Sequence, residues 1–428
     1  MWRHVAVIGL GIAALGGSAL AQTAGGTLGV ADLVEMAAQR NRDFLAAKER
    51  VAEMQGLLRQ AGVRPAPALE VENTTGRPLG SPGEHVLSAG YFHTIETFGK
   101  REKRQAVARK SAEAAEADVA DRLRLLTLEV KLKYAAAVRE QQKLEAMRRL
   151  ASANRAFYDL TDARVQRGDA APLEGQLFLT ELSRVDAQQV ILTSGAERAV
   201  LALRRAVGLP AAEPLVLASP PPQMATSALP ELQARALRDR PDVRALRVLE
   251  EEALAEEALV RADGKPDITA SARYSRVDGG FDQRAYDQGG RLVPITARDH
   301  MLTVGISFLL FPPVRNRGAL EAALARSAAA RLRREHLESA VRLEVEAAYL
   351  RWRATATAVD ILSRGVIGPS ERNLAVIRQA HTLGQLRVLD VLNEQRRLID
   401  TQLAYLDAQS DLFEAFSELE ASVGGSIQ

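Results

Sequence analysis

The 428-residue sequence contains no cysteine. That excludes disulfides, thiolate metal sites, a cysteine nucleophile and a lipidated amino-terminal cysteine. Aromatic residues make up only 4%, low for a large globular core. An excess of one charge is also missing: 56 basic residues stand against 54 acidic ones, which gives no reason to expect nucleic acid. Past Ala21 there is no run of about twenty apolar residues, so no transmembrane helix is expected. Nor is there a nucleophile elbow, a phosphate loop, an HExxH motif or a paired catalytic carboxylate in a plausible pocket. An enzyme is not expected, and no cofactor. The later histidines (His85, His93, His300, His336, His381) never pair at metal-ligand spacing such as i, i+4, and methionines are few and isolated. No resident metal site is expected.

What is present is length and helix. Ala, Leu, Glu, Arg and Gln abound, which suits long helices packed on helices. Lys100 to Arg167 runs 68 residues without a Gly or Pro, a helix of roughly 100 Å at 1.5 Å per residue. It ends at Arg167-Gly168-Asp169-Ala170-Ala171-Pro172, a stop followed by a restart. The chain opens like a secretory leader: Arg3 and His4, an apolar Val5 to Leu15, then Ala19-Leu20-Ala21. Cleavage is expected between Ala21 and Gln22.

The plan then repeats. Arg40 to Asp43 corresponds to Asp239 to Asp242, and Pro67 to Pro266, at an offset of 199. Gly90 corresponds to Gly305 at 215, and Gly168 to Gly384 and Val207-Gly208 to Val423-Gly424 at 216. The division expected is a leader over 1–21, a first repeat over 22–217, a linker over 218–230 and a second repeat over 231–428. Each repeat reads helix, strand, loop, strand, long helix, tip, long helix. Strands are expected near 68–74, 86–95, 267–275 and 300–310, with a longer loop from Asp278 to Asp299. Long helices are expected near 100–167, 172–207, 317–383 and 385–423, with an extra interruption at Gly365 and Gly368-Pro369. The fold class is mainly α with a small β part.

The strands alternate. Ile268, Ala270, Ala272 and Tyr274 share one face, and Leu302, Val304, Ile306 and Phe308 share another, opposite Thr, Ser, Gly and Arg. Apolar-out, polar-in strands of about ten residues are what a membrane barrel needs. Two ordinary hairpins packed on a helix would show the same alternation. Four strands cannot close a barrel, and open edges are not tolerated in lipid. If these strands span a membrane, several chains share one barrel; three would supply twelve strands.

Taken together, the duplicated plan, the tip Gly384-Gln385-Leu386-Arg387-Val388-Leu389-Asp390-Val391-Leu392-Asn393, its degenerate copy Gly168 to Glu174, and the passage Ile95-Glu96-Thr97-Phe98-Gly99-Lys100-Arg101 resemble the TolC family of outer-membrane efflux factors. The last of these is similar to the CzcC/CusC branch that serves heavy-metal pumps. The resemblance covers about Leu28 to Val423. It implies a homotrimer, with twelve strands in outer-membrane lipid and a periplasmic tunnel of helices. It also implies a periplasmic adaptor, an inner-membrane pump of the resistance-nodulation-division type, and passive exit of heavy-metal cations. Export of drugs, other solutes or secreted proteins through the same architecture is the nearest alternative. A soluble periplasmic coiled-coil adaptor is a further one.

Several residues become candidates. Glu174 and Asp390 each lie six residues past a tip glycine; in a trimer they would ring the pore and favour cations. They would equally suit the first turn of a helix. Asn393 stands where the family often has a second acid. His381 and Leu386 stand where some members close the tip with tyrosine and arginine. By the same resemblance Arg167, Gly168, Asp169, Gly384, Gln385 and Leu386 are the adaptor-docking candidates. Ile268, Ala270, Tyr274, Leu302, Val304, Ile306 and Phe308 are the lipid-facing candidates. The basic run Lys100 to Arg104 reads as a solvated helix start, with anionic lipid as the other reading.

Overall fold

The computed structural model describes residues 27–79, 85–169, 171–210, 213, 215–220, 227–310, 316–383 and 385–427. The expected leader and its Ala21/Gln22 cleavage point lie outside them, as do Gly384, Ala170 and part of the expected linker. In chain order come α1 (Val30–Arg40), α2 (Arg42–Ala61), β1 (Ala68–Thr75), β2 (His85–Ile95), α3 (Lys100–Gln166) and α4 (Pro172–Val207). The second half gives α5 (Leu229–Asp239), α6 (Pro241–Asp263), β3 (Ile268–Tyr286), β4 (Leu292–Phe308), α7 (Arg317–Leu362), α8 (Gly368–Thr382) and α9 (Val388–Val423). Among the described residues no helix is long and apolar enough to cross a membrane.

α3 has 67 residues and no helix breaker, so its hydrogen-bond ladder runs uninterrupted. It is the spine: α4, α6, α2 and α9 all pack along it. The partner run in the second half is broken by a π-helical turn at Ser363–Ile367, where Gly365 and Gly368-Pro369 supply weak helix formers and a ring that cannot donate to the ladder.

Two cores hold the middle of the molecule. Leu33, Phe44, Val130, Tyr134, Leu203 and Phe413 form one; Leu232, Val243, Val341, Phe416 and Leu419 form the other. Fully burying each of these large side chains contributes about 1.5–3 kcal/mol. Tyr134 is wholly buried, yet its hydroxyl donates to the Ala218 carbonyl at 2.5 Å, which ties the start of the inter-repeat segment to the spine. The repeat is visible in the backbone. Gly208 ends α4 with φ 82°, and a Cβ there would lie 2.8 Å from the Arg40 carbonyl between α1 and α2. Gly424 ends α9 with φ 100°, and a Cβ there would lie 3.1 Å from Arg240 Cα between α5 and α6. Both positions need a left-handed backbone and the absence of a side chain.

The four strands form one antiparallel sheet in the order β1-β2-β3-β4. β3 and β4 are longer than the spacing predicts. Most of the expected Asp278–Asp299 loop is paired strand, with Asp278 opposite Arg298 and Tyr286 opposite Leu292. Neither Gly279 nor Gly280 has a positive φ, and the register shift follows them, between Gly280 and Arg284. The reversal falls at Asp287 to Gly290. There the Asp287 carboxylate accepts from the backbone N–H of Gly289 and Arg291 at 2.9 Å, and Gly290 takes φ 77°. α9 likewise begins later than 385, because Asp390 caps the free N–H of Arg387 and leaves Gln385 to Arg387 outside the helix.

Candidate functional site: the sheet and the helical tips

The sheet is inside-out. Leu302, Val304 and Ile306 are each 73% exposed, whereas Ser88, on the opposite face of the sheet, is 4% exposed. Register explains the division. Leu69, Tyr91, Ala272 and Val304 lie in one cross-strand row, and Val71, Ala89, Tyr274 and Leu302 in the next. Ile95, Ile268 and Phe308 close the band toward the helices, with Ala270 beside Ile306 in the row above. His93 is a polar member of that row. From Ile95 to Leu87 the band runs about 27 Å along β2, or roughly 20 Å once tilted as in a barrel. At its far end Tyr274 meets His300, hydroxyl to Nδ1 at 2.5 Å, and beyond lie Arg276, Asp278 and Arg298 in ion pairs.

The other face carries a charge network. Arg273 donates to Glu70 at 2.9 Å, to Glu72, and to the Ser88 hydroxyl at 3.2 Å. Its guanidinium lies 5.6 Å from the centroid of the Phe92 ring. Phe92 folds over Gly90, where a Cβ would come within 2.9 Å of that ring. Polar groups that a soluble hairpin would turn to solvent are here the more covered side.

The tips lie at the opposite end of the helices. At the first, Gly168 takes φ 81° and Asp169 N–H donates back to the Arg164 carbonyl at 2.9 Å. Arg167 donates to the Ala163 carbonyl at 3.1 Å. Arg167, Gly168 and Asp169 are all exposed. At the second, Gln385 N–H donates to the Ala380 carbonyl at 2.9 Å, and His381 Nδ1 donates to the Leu386 carbonyl at 3.0 Å. His381 and Leu386 are therefore brought together, through a ring nitrogen and a backbone oxygen. Glu174 sits in the first turn of α4 and Asp390 in the first turn of α9, so Asp390 does serve its helix terminus. The two helices meet just behind these acids: Phe178, Val388 and Leu392 are packed as one buried cluster. Asn393 is exposed and lines a shallow groove with Arg396, Arg397 and Asp400 against Leu362 and Val366.

Sequence reasoning missed the polar layer above this cluster. Glu181 of α4, its side chain 3% exposed, takes three hydrogen bonds from Arg184 and two from Arg396 of α9, 215 residues away. Burial pushes the Glu181 carboxyl up, but the two guanidinium groups outweigh it and hold it below the usual glutamate range. Nearby Arg378 stacks 5.1 Å from the centroid of the Phe157 ring, and burial lowers its pKa. No spacing signal announces such contacts, because they join helices distant in sequence. Among the described residues no group of three His, Asp or Glu converges as a metal site.

Comparison with known proteins fits this geometry. No curated protein matches the sequence. Among solved structures, the outer-membrane channel OprN shares 20% identity over 93% of this chain and 90% of that one, with a TM-score of 0.71. The outer membrane protein VceC from Vibrio cholerae shares 21% over 93% and 97%, with a TM-score of 0.70. CusC shares 18% over 93% and 92%, also at 0.70. At such identities the likeness is one of fold, and it does not set the CusC structure apart from the others. A family model described as outer membrane efflux protein matches residues 33–209 and 232–425. Those two spans take in both halves of the helical array and all four strands, and the chain belongs to the outer membrane efflux protein family.

Proposed function

We propose that three copies of the chain share one twelve-stranded barrel in outer-membrane lipid and continue as a helical tunnel in the periplasm, forming a passive exit duct for heavy-metal cations. The observation that carries the duct is the inside-out sheet, with its apolar face bare, Ser88 and Ser275 buried on its polar face, and the outer edges of β1 and β4 unpaired among the described residues. Apolar rows of this kind gain nothing in water and match a bilayer. On this reading residues 22–217 and 231–428 are the two repeats, the exposed tips dock a periplasmic adaptor, and an inner-membrane pump supplies the energy. The channel itself carries out no chemistry. Glu174 and Asp390, repeated three times, bias the tip toward cations. The metal cargo rests on the Phe98-Gly99 passage and its similarity to the metal-efflux branch.

The test is growth of a deletion strain against zinc, cadmium, cobalt, nickel, copper and silver, beside dyes and antibiotics. Sensitivity to metals alone, restored by the intact gene, is expected. Sensitivity to drugs with unchanged metal tolerance would overturn the cargo and leave the duct standing.

A further inference from the structure

The apolar rows stop at Ile95, Ile268 and Phe308. Just past that end, in the segments that join the sheet to the helices, the chain carries six cations and four carboxylates: Arg64, Lys100, Arg101, Lys103, Arg104 and Lys265, with Glu96, Glu102, Asp263 and Asp267. Two of the cations are taken up. Lys100 Nζ lies 2.9 Å from Asp267, and Arg104 lies 2.5 Å from Glu96. Arg64, Arg101, Lys103 and Lys265 have no carboxylate within ion-pair distance among the described residues. Arg101 and Lys103 brace the backbone instead, donating to the Gly62 carbonyl at 2.7 Å and the Phe98 carbonyl at 2.6 Å. Lys265 Nζ lies 4.5 Å from the centroid of the Phe98 ring.

Phe98 stands beside these cations in a strained backbone. It is the one non-glycine residue with a positive φ among those described, at 57°, and it is 51% exposed. A bulky residue in that region is costly, and nothing is buried in return. Lys103 and Lys265 hold it in place. Exposed Val63, Leu309 and Leu310 lie at the same end of the sheet. An aromatic ring flanked by unpaired cations, set at the margin of an apolar band, is the chemistry of a bilayer interface.

We propose that this collar is a binding site for the phosphate headgroup of an anionic phospholipid in the leaflet nearest the helices. The inference rests on the barrel reading above. The surplus cations meet the phosphate, and the acyl chains lie on the Ile95–Ile268–Phe308 margin, which a free phosphate would leave bare. Each cation near an anionic surface favours binding by about fivefold.

Arg64→Gln/Lys265→Gln removes two unpaired cations that brace no backbone carbonyl and leaves the Lys103 hydrogen bond to the Phe98 carbonyl in place; normal insertion into phosphatidylcholine checks that the variant folds. Wild-type and variant proteins are inserted into phosphatidylcholine bilayers with and without one part in five of phosphatidylglycerol. Lipids retained after detergent extraction are counted by native mass spectrometry. The wild type is expected to retain phosphatidylglycerol preferentially, and the variant to lose at least about fivefold of that preference. Equal retention of both lipids by both proteins, with normal insertion, overturns the headgroup site and leaves the barrel. Failure of both proteins to insert even into phosphatidylcholine overturns the barrel and this site with it. Inorganic phosphate competing as well as phosphatidylglycerol overturns the assignment to lipid.

Discussion

Single residues decide how the two returning helices stay together. Glu181 is the clearest case, because its buried carboxylate joins α4 to α9 through Arg396 while Arg184 steadies it. Both arginines are about half exposed, so solvent screens part of the attraction. Glu181→Gln is expected to cost about 1–2 kcal/mol at neutral pH. The sign with pH follows from the depressed carboxyl. The contribution is complete above the ordinary glutamate range of about 4.3 and is lost as pH falls through the lower folded value. Melting curves of the detergent-solubilised protein should show the variant less stable at pH 7 and the gap closing below about pH 4. Equal melting temperatures at pH 7 would remove the pair from any role in holding the tip. His381 differs in kind. Its position near the tip was legible in the sequence, but its partner is a backbone oxygen, and backbone partners leave no mark in side-chain patterns.

At the scale of elements, what could be read depended on whether a pattern is local. The apolar faces of β3 and β4 were visible because strand periodicity is two and the relevant residues are neighbours in sequence. The helical runs were visible through what interrupts them, Gly168 and Pro172 above all. The strand extension past Asp278 was not, because beyond the apolar band the face no longer needs to be apolar and the alternation fades. The reversal within the expected loop is a short one built by the Asp287 carboxylate. The band itself yields a prediction. Val304→Arg and Ile306→Arg each put a charge at a position that is 73% exposed in the single chain. In mid-bilayer that costs about 2–4 kcal/mol per chain, incurred in every copy of an assembly. Both variants should be exported yet give little heat-resistant oligomer on semi-native gels. Normal oligomer yield in both would mean that this face does not meet lipid.

At the scale of the whole molecule, the sheet edges are decisive. Among the described residues of one chain, β1 bonds only to β2, and β4 only to β3. Each leaves a row of backbone donors and acceptors that lipid cannot satisfy. The up-down order means that β4 of one copy would meet β1 of the next in antiparallel fashion, the relation found throughout the sheet. Closure by a ring of copies satisfies every edge at once, and no separate partner is needed for the strands. The absence of cysteine makes this directly testable, because any pair introduced is the only pair present. Leu69→Cys or Val71→Cys on β1 is combined with Leu302→Cys or Val304→Cys on β4, and membranes are oxidised before denaturation. At least one combination should bring sulfurs within disulfide reach and give covalent dimers and closed trimers, while each single-cysteine parent gives none. Monomer alone in all four combinations, with the protein present in the outer membrane, would rule out β1–β4 closure. Covalent dimers that never extend to trimers would replace the ring of three by a two-fold arrangement, which eight strands could still close.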